Sequence, residues 1–161
     1  MIRLSTLRNV PVVFEDRRMG LLQSVCFDQN RKKICALIVS AGVHGKRIVL
    51  TQHVQTLAQS FIMVDQWSKY RRSDQQQMAL FVRDTTGLLV GRVTDYAIEE
   101  ETMNILAIEM IPGYLPQAYR NRIWIYEYTF SKESDEICVS DILHSWPCFS
   151  KGGNATCECP P

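Results

Sequence analysis

The residues best suited to chemistry lie close to the C-terminal end of the sequence. Segment 144–161 carries four candidate metal ligands, which are His144, Cys148, Cys157 and Cys159. Three thiolates and one imidazole can complete a tetrahedral zinc site. A disulfide or redox pair between Cys148 and either Cys157 or Cys159 is a second hypothesis. The Gly, Pro and Ser content favours a third interpretation, an irregular tail without fixed structure.

Histidines decide whether a catalytic site is a reasonable expectation. His44 lies in the loop 42–45 between two glycines and His53 follows an apolar strand-like run, while His144 belongs to the tail. None has a nucleophile or a paired acid at a spacing that recurs along the chain. Neither a phosphate-binding glycine loop nor a metal-binding helix pair is present. The sequence therefore predicts no enzyme activity, with His44 and His53 at the surface.

The remaining cysteines and the apolar runs bear on the compartment. Cys26, Cys35 and Cys138 occur inside apolar, strand-like runs, where a free thiol behaves as a small hydrophobic residue. No run reaches the ~18 apolar residues that cross a bilayer. The first residues lack the pattern of a signal peptide. We therefore expect a cytoplasmic protein with reduced cysteines and no membrane span.

Charge is divided unevenly along the chain. Residues 1–72 contain 12 Lys and Arg against 4 Asp and Glu, whereas residues 73–161 contain 6 against 13. Opposite charges of this kind favour contact between the halves, within one chain or between two chains. The basic residues that an RNA phosphate could contact are Arg31, Lys32, Lys33, Lys46 and Arg47. No aromatic residue alternates with them, so a solvated charged face is the competing interpretation.

An internal repeat explains how these residues are positioned. A shift of 71 residues places Gly20 on Gly91 and aligns the apolar runs that follow each glycine without a gap. A shift of 75 aligns residues 47–50 with 122–125 and 62–64 with 137–139. The four extra residues fall in a Pro- and Gly-containing loop, where length changes are tolerated. Each copy reads as five or six short strands, with polar hairpin turns at residues 28–33 and 99–104.

The repeat predicts an all-β protein of two small tandem barrels, because a short sheet must curl to bury its apolar face. We expect a first repeat at residues 1–66, a linker at 67–77, a second repeat at 78–143 and an irregular tail at 144–161. Copies of about 65 residues have marginal cores, so docking of one copy on the other should contribute to stability.

An aromatic stripe distinguishes the second copy. Trp124, Tyr126 and Tyr128 alternate with the isoleucines of one strand, and Tyr114 lies in the inserted loop. If the isoleucines face the core, the aromatic rings face outward and mark an interface. The alternative is that the stripe packs on the other copy or on the inserted loop.

The run from Gly91 to Glu99, preceded by the turn at residues 84–87, resembles the opening hairpin of the PRC-barrel domain. Residues 20–28 are similar to a degenerate second example, and residues 47–50 and 62–65 resemble the closing strands of that family. The resemblance covers residues 4–141 as two modules. It implies small β-barrels without an active site, of a kind that occurs in bacteria and serves docking or assembly. One such module occurs in a ribosome maturation factor.

These observations favour a non-catalytic cytoplasmic adaptor that binds a protein partner through Trp124 and Tyr126. The alternative is an RNA- or ribosome-associated factor that uses the basic first repeat. Apart from zinc in the tail, the sequence predicts no cofactor.

Overall fold

A computed structural model describes residues 1–70, 81–113, 122–131 and 134–140. Within these ranges the chain forms fourteen strands and three short 3-10 helices, with no α-helix. The strands are β1 (Ile2–Arg3), β2 (Pro11–Phe14), β3 (Arg17–Phe27), β4 (Ile34–Ser40), β5 (Lys46–Leu50), β6 (Val54–Leu57), β7 (Ile62–Val64), β8 (Ser68–Lys69), β9 (Phe81–Asp84), β10 (Leu89–Ile98), β11 (Ile105–Pro112), β12 (Ile123–Ile125), β13 (Thr129–Ser131) and β14 (Glu136–Val139). The 3-10 helices are Leu4–Leu7, Gly42–His44 and Thr51–His53. No helix in the described ranges is long and apolar enough to cross a membrane.

The strands form two curled sheets with the same topology. The first sheet has the order β6-β7-β2-β3-β4-β5-β8, and the second has the order β13-β14-β9-β10-β11-β12. In each sheet one neighbouring pair is parallel, β2 with β7 and β9 with β14, while the other pairs are antiparallel. The prediction of an all-β chain built from two β-barrel-like repeats is confirmed. The matching order also explains why the two halves share one hydrophobic pattern.

The repeat extends to irregularities of the strands. In β3 the register shifts between Leu22 and Ser24, and in β10 it shifts between Val93 and Asp95, 71 positions later. Such β-bulges bend a strand, which lets each sheet curl on itself. The two aligned glycines also lie close to equivalent backbone carbonyl groups. A Cβ on Gly20 would collide with the carbonyl oxygen of Ser40, and one on Gly91 would lie 2.7 Å from the carbonyl oxygen of Ile111.

One part of the repeat alignment is wrong by a residue. Strand β4 pairs Ile38 with Ile48, and the matching strand β11 pairs Glu109 with Trp124. Ile48, not Val49, is therefore the counterpart of Trp124. A slip of one residue exchanges the two faces of a strand. Accordingly the first-repeat residue that points into the core is Val49, while Leu50 is 47% exposed.

The two repeats meet through their equivalent hairpin tips. Lys33 and Asn104, which are 71 residues apart, form an antiparallel bridge with each other. Next to it the Ile34 amide donates to the carbonyl of Met103 (3.0 Å), and the Ile105 amide donates to the carbonyl of Lys32 (2.8 Å). Equivalent residues that exchange equivalent bonds define an approximate twofold axis between the repeats.

A single hydrophobic core spans both repeats. Phe27 of the first repeat and Tyr96 of the second are completely buried, with ring centroids 5.0 Å apart. The same continuous cluster includes Val12 and Leu37 from the first sheet and Ile108 from the second. Each sheet alone is too small to bury its apolar face, so the contact between repeats completes the core.

The strands at the two ends of the predicted first repeat, β1 and β8, do not pair as the predicted domain boundaries imply. Strand β1 hydrogen-bonds to β10 and so extends the second sheet. Strand β8, which falls in the predicted linker, pairs with β5 of the first sheet. Both are two-residue strands, and a strand of that length carries too little pattern to reveal its partner in the sequence.

Candidate interaction surface

The predicted aromatic stripe is divided by the structure. Tyr126 follows strand β12 and is 64% exposed, while Trp124 is half-buried on the same strand. Tyr128 is only 6% exposed, so the expectation that it faces outward is wrong. Its hydroxyl donates to the carbonyl oxygen of Arg31 (3.1 Å), which places the ring between the repeats. Tyr114 lies outside the described residues.

Strand β12 is the last strand of the second sheet. Within the described residues it pairs only with β11, whereas the matching strand β5 pairs with β4 on one side and with β8 on the other. An edge strand presents backbone N–H and C=O groups in a row that another strand can use. Trp124 and Tyr126 stand on or beside this edge. The site thus combines backbone hydrogen-bonding groups with two aromatic rings.

A buried polar network lies behind Trp124. Asp95 and Glu109 are 4% and 2% exposed, and each accepts a hydrogen bond from the guanidinium of Arg3. The Arg3 guanidinium also lies 5.3 Å from the centre of the Trp124 ring, within the range of a cation–π contact. Strand β1 brings Arg3 here, because Arg3 pairs with Ala97 of β10.

Further donors satisfy both carboxylates. The amide and hydroxyl of Ser5 donate to Asp95, the Thr94 hydroxyl donates to Glu109 (2.9 Å), and Arg122 Nη1 lies 3.3 Å from Glu109 Oε2. The hydrogen bond to Asp95 raises the pKa of Arg3, and the two carboxylates add to the effect. Burial of two carboxylates requires such compensation. The sequence alone did not identify Asp95, Glu109 or Arg3 as candidate site residues.

A sequence signal for this network existed in the repeat alignment. The first-repeat counterparts of Asp95 and Glu109 are Ser24 and Ile38. Ile38 is 1% exposed and packs with Cys26 and Ala36 in a small apolar cluster. Because Glu109 takes the place of a buried isoleucine, its carboxylate is expected to need a cationic or hydrogen-bonding partner. The partner, Arg3, is more than 90 residues away in sequence, and no local pattern identifies it.

Two of the five predicted basic residues are engaged in the contact between repeats. Arg31 is 3% exposed and forms an ion pair with Asp135 (Nη2–Oδ1, 2.7 Å). Its guanidinium lies 4.7 Å from the centre of the Phe130 ring. Lys32 lies over the Tyr128 ring, and burial lowers the pKa of its ammonium group. The expectation that Arg31 is a solvent-facing phosphate contact is therefore wrong.

The other basic residues remain accessible. Lys33 forms the bridge on the twofold axis, and its side chain is exposed. Lys46 lies 5.6 Å from the centre of the Tyr70 ring, and Arg47 lies 4.8 Å from that of Trp67. No aromatic residue alternates with these cations in the sequence, because both rings belong to the predicted linker and reach the cations through the pairing of β8 with β5.

The histidines and cysteines occupy the following places. His44 is exposed in a 3-10 helix, and His53 Nδ1 lies 3.0 Å from Asp65 Oδ1. Cys35 and Cys138 are free thiols, and Cys35 is exposed, whereas Cys26 is buried. The partial desolvation of the Cys35 sulfur raises the pKa of its thiol. The predicted zinc ligands His144, Cys148, Cys157 and Cys159 lie outside the described residues. Inside the described ranges no three His, Cys, Asp or Glu side chains are grouped for a metal ion.

A groove of about 660 Å³ opens between the two repeats. One wall is the hairpin tip of the second repeat, with Glu100, Glu101 and Thr102. The other wall is strand β6 and the turn before it in the first repeat. A groove of this size falls in the range of small-molecule and peptide side-chain sites.

The fold and these surfaces define an all-β protein of two related repeats joined through one core. Neither a protein-family model nor a curated protein sequence matches the chain.

Proposed function

We propose that this chain is a non-catalytic protein-interaction module that binds a partner strand along β12, beside Trp124 and Tyr126. The observation that carries the proposal is the combination on one edge of backbone that pairs with no further strand within the described residues and an aromatic side chain that is 64% exposed, Tyr126. Addition of an extended peptide to a sheet edge is a common mode of recognition, in which side-chain pockets supply specificity. Aromatic residues dominate the binding energy of many such interfaces.

The state of the buried carboxylates supports a structural role for them. Asp95 and Glu109 each accept several hydrogen bonds and face Arg3, so donors compensate for the burial of both carboxyl groups. That arrangement fixes the Arg3 guanidinium against Trp124 and holds the indole in place. A ring fixed before binding loses less conformational entropy when a partner arrives. We also propose that the repeats are PRC-type barrels of a cytoplasmic adaptor, and the free thiols of Cys35 and Cys138 agree with a reducing compartment.

A pull-down with the full chain tests the proposed surface. Trp124→Ala and Tyr126→Ala are compared with Trp67→Ala, an exposed tryptophan of the first repeat that serves as the matched control. We expect the native chain and the control to retain a protein partner whether or not ribonuclease is added. Trp124→Ala and Tyr126→Ala should no longer retain that partner. Equal retention by all variants would contradict the placement of the surface.

A second candidate function, RNA binding, is favoured by one specific observation. Arg47 lies over Trp67 and Lys46 lies over Tyr70, so cations and aromatic rings are paired on the first repeat. Such surfaces bind single-stranded nucleic acid by stacking and by phosphate contact. Of the five residues first considered, Arg31 and Lys32 are already engaged with the second repeat.

The salt dependence of RNA binding tests this candidate. Each phosphate contact of a single strand contributes a slope of about −0.7 in a plot of log K against log salt. Lys46→Gln and Arg47→Gln should each reduce the slope by about that amount, whereas Arg17→Gln, an exposed cation on another strand, should leave it unchanged. Absence of RNA binding at low salt would dismiss the candidate.

A further inference from the structure

The groove between the repeats has a filled counterpart related to it by the approximate twofold axis. Strand β6 pairs Leu57 with Ile62, and strand β13 pairs Phe130 with Ile137. Because Ile62 and Ile137 are equivalent in the repeat, Leu57 and Phe130 occupy equivalent places. The groove beside Leu57 therefore corresponds to the region beside Phe130.

Side chains of the protein itself fill the region beside Phe130. The Arg31 guanidinium lies between the Phe27 and Phe130 rings, with centroid distances of 5.7 Å and 4.7 Å, and pairs with Asp135. Lys32 Nζ lies over the Tyr128 ring and donates to the Tyr128 carbonyl oxygen. Two cationic side chains from the first hairpin tip thus cover the last hairpin of the second repeat.

Beside the groove, the residues equivalent to Arg31, Lys32 and Phe130 are smaller or uncharged. Thr102 and Met103 stand in the sequence positions of Arg31 and Lys32, and Leu57 replaces Phe130. The tip conformations also differ by one residue, because the positive φ falls on Arg31 in one tip and on Met103 in the other. Met103 is 5% exposed and packs in the shared core, so it fills part of the equivalent space, and the groove lies open beside Leu57.

The charges around the groove are favourable to a cation. Glu100 and Glu101 line it with exposed carboxylates, and among the lining residues that the structure describes Lys33 is the one cationic side chain. Glu100 also faces the amino group of Met1 at 3.3 Å, which leaves Glu101 as the carboxylate available to a ligand. Gln52, Gln55 and Thr56 add amide and hydroxyl groups for the peptide part of a ligand.

We propose that this groove binds an arginine side chain of a partner peptide, with its guanidinium at Glu101 and its methylenes over Val54 and Leu57. The bound arginine would lie beside Leu57, as Arg31 lies beside Phe130 on the other side of the axis. The inference goes beyond the proposed function, because neither Trp124 nor Tyr126 lines the groove. Arginine suits the site because its planar group pairs with a carboxylate in two directions while its stem packs on apolar carbon.

The test uses the isotope-labelled full chain and amide NMR titration. The probe is N-acetyl-arginine amide, and the matched probe is N-acetyl-citrulline amide, which has nearly the same shape without the charge. We expect saturable shifts at residues 51–57 and 100–103 with the arginine probe and at least about fivefold weaker binding of the citrulline probe. Equal affinity for both probes, or no saturable shift at these residues, would overturn the proposal.

Two variants and a control place the ligand. Glu101→Gln should weaken binding of the arginine probe about threefold to fivefold, as expected for an exposed ion pair. Gln55→Trp replaces an exposed side chain on the groove wall with one large enough to fill it, and should abolish binding. Glu15→Gln, an exposed acid that does not line the groove, should bind as the native chain does. If Glu101→Gln and Gln55→Trp both bind the arginine probe as the native chain does, the probe binds elsewhere and the proposed site is refuted. The pull-down with Trp124→Ala tests the proposed function separately, so failure of one proposal does not imply failure of the other.

Discussion

Lys33 and Asn104 occupy the same position in the two repeats and pair with each other across an approximate twofold axis. The contact makes the chain resemble a symmetric dimer whose subunits have been joined by a linker. In such dimers an isologous patch contacts its own copy. Here the copies have diverged, so the symmetric contact coexists with one filled and one open groove.

Cooperative unfolding of both repeats follows from their shared core. Phe27→Ala removes a completely buried ring that contacts Tyr96 of the other repeat, and we expect a loss of about 3–5 kcal/mol. Because neither sheet completes its core alone, circular dichroism and tryptophan fluorescence should report one coincident transition in urea. Leu50→Ala, an exposed residue of the first sheet, is the control and should change the midpoint little. Two separated transitions would contradict a shared core.

The network around Arg3 gives a prediction about compensated charge. Removing one partner of a buried ion pair costs about 3–5 kcal/mol, and the partial exposure of Arg3 reduces our expectation for Arg3→Ala to about 2 kcal/mol. The loss arises because Asp95 and Glu109 remain buried with fewer donors. Urea denaturation measures it.

The first repeat supplies the matched rescue. Its counterparts of Asp95 and Glu109 are Ser24 and Ile38, which need no cation. The triple variant Arg3→Met, Asp95→Ser, Glu109→Ile should recover most of the stability lost in Arg3→Ala, because replacing a buried ion pair by apolar groups is often neutral. A triple variant less stable than Arg3→Ala would show that the network stabilises the fold beyond mutual neutralisation.

Stability at alkaline pH should be limited by two buried tyrosines. Burial raises the pKa of Tyr96 to about 12 and raises that of Tyr128 above its ordinary value, whereas an unfolded tyrosine ionises near 10. Between these values the native state binds more protons than the unfolded state, so the free energy of unfolding falls as pH rises above about 10. Below that pH both states are protonated and the two tyrosines contribute no pH dependence.

Phenolate absorbance across an alkaline titration checks this expectation. Of the six tyrosines in the chain, Tyr96 and Tyr128 should ionise only together with unfolding. Ionisation of all tyrosines before any loss of β-sheet signal would contradict the burial of Tyr96 and Tyr128.

The aligned glycines predict a graded loss of stability. Gly91→Ala places a Cβ 2.7 Å from the Ile111 carbonyl oxygen and should cost about 1–3 kcal/mol, as overpacking does. Gly20→Ala meets the Ser40 backbone more closely and should cost more. Gly113→Ala is the control, because the nearest atom to its Cβ would be the Gly91 Cα at 3.9 Å. Urea midpoints in the order Gly113, Gly91, Gly20, from highest to lowest, would agree with this account.

The sequence by itself determined the repeat, the all-β class and the hairpins, because these depend on alternation and on turn residues that lie close together in the chain. It also identified Trp124 and Tyr126 as distinctive, since their counterparts in the first repeat are different. These inferences depend on the periodicity of apolar residues, which is a local property of the sequence.

Only the tertiary structure decided which side chains face a partner and which face the other repeat. Arg31 and Tyr128 read as surface residues in sequence, yet both are buried where the repeats meet. Arg3 joins Asp95 and Glu109 through a two-residue strand paired with the opposite sheet. These contacts connect residues about 90 or more positions apart, and their pairing depends on how two curled sheets dock. Alternation of apolar and polar residues predicts which side chains share one face of a strand, but it does not predict which residues pack against that face.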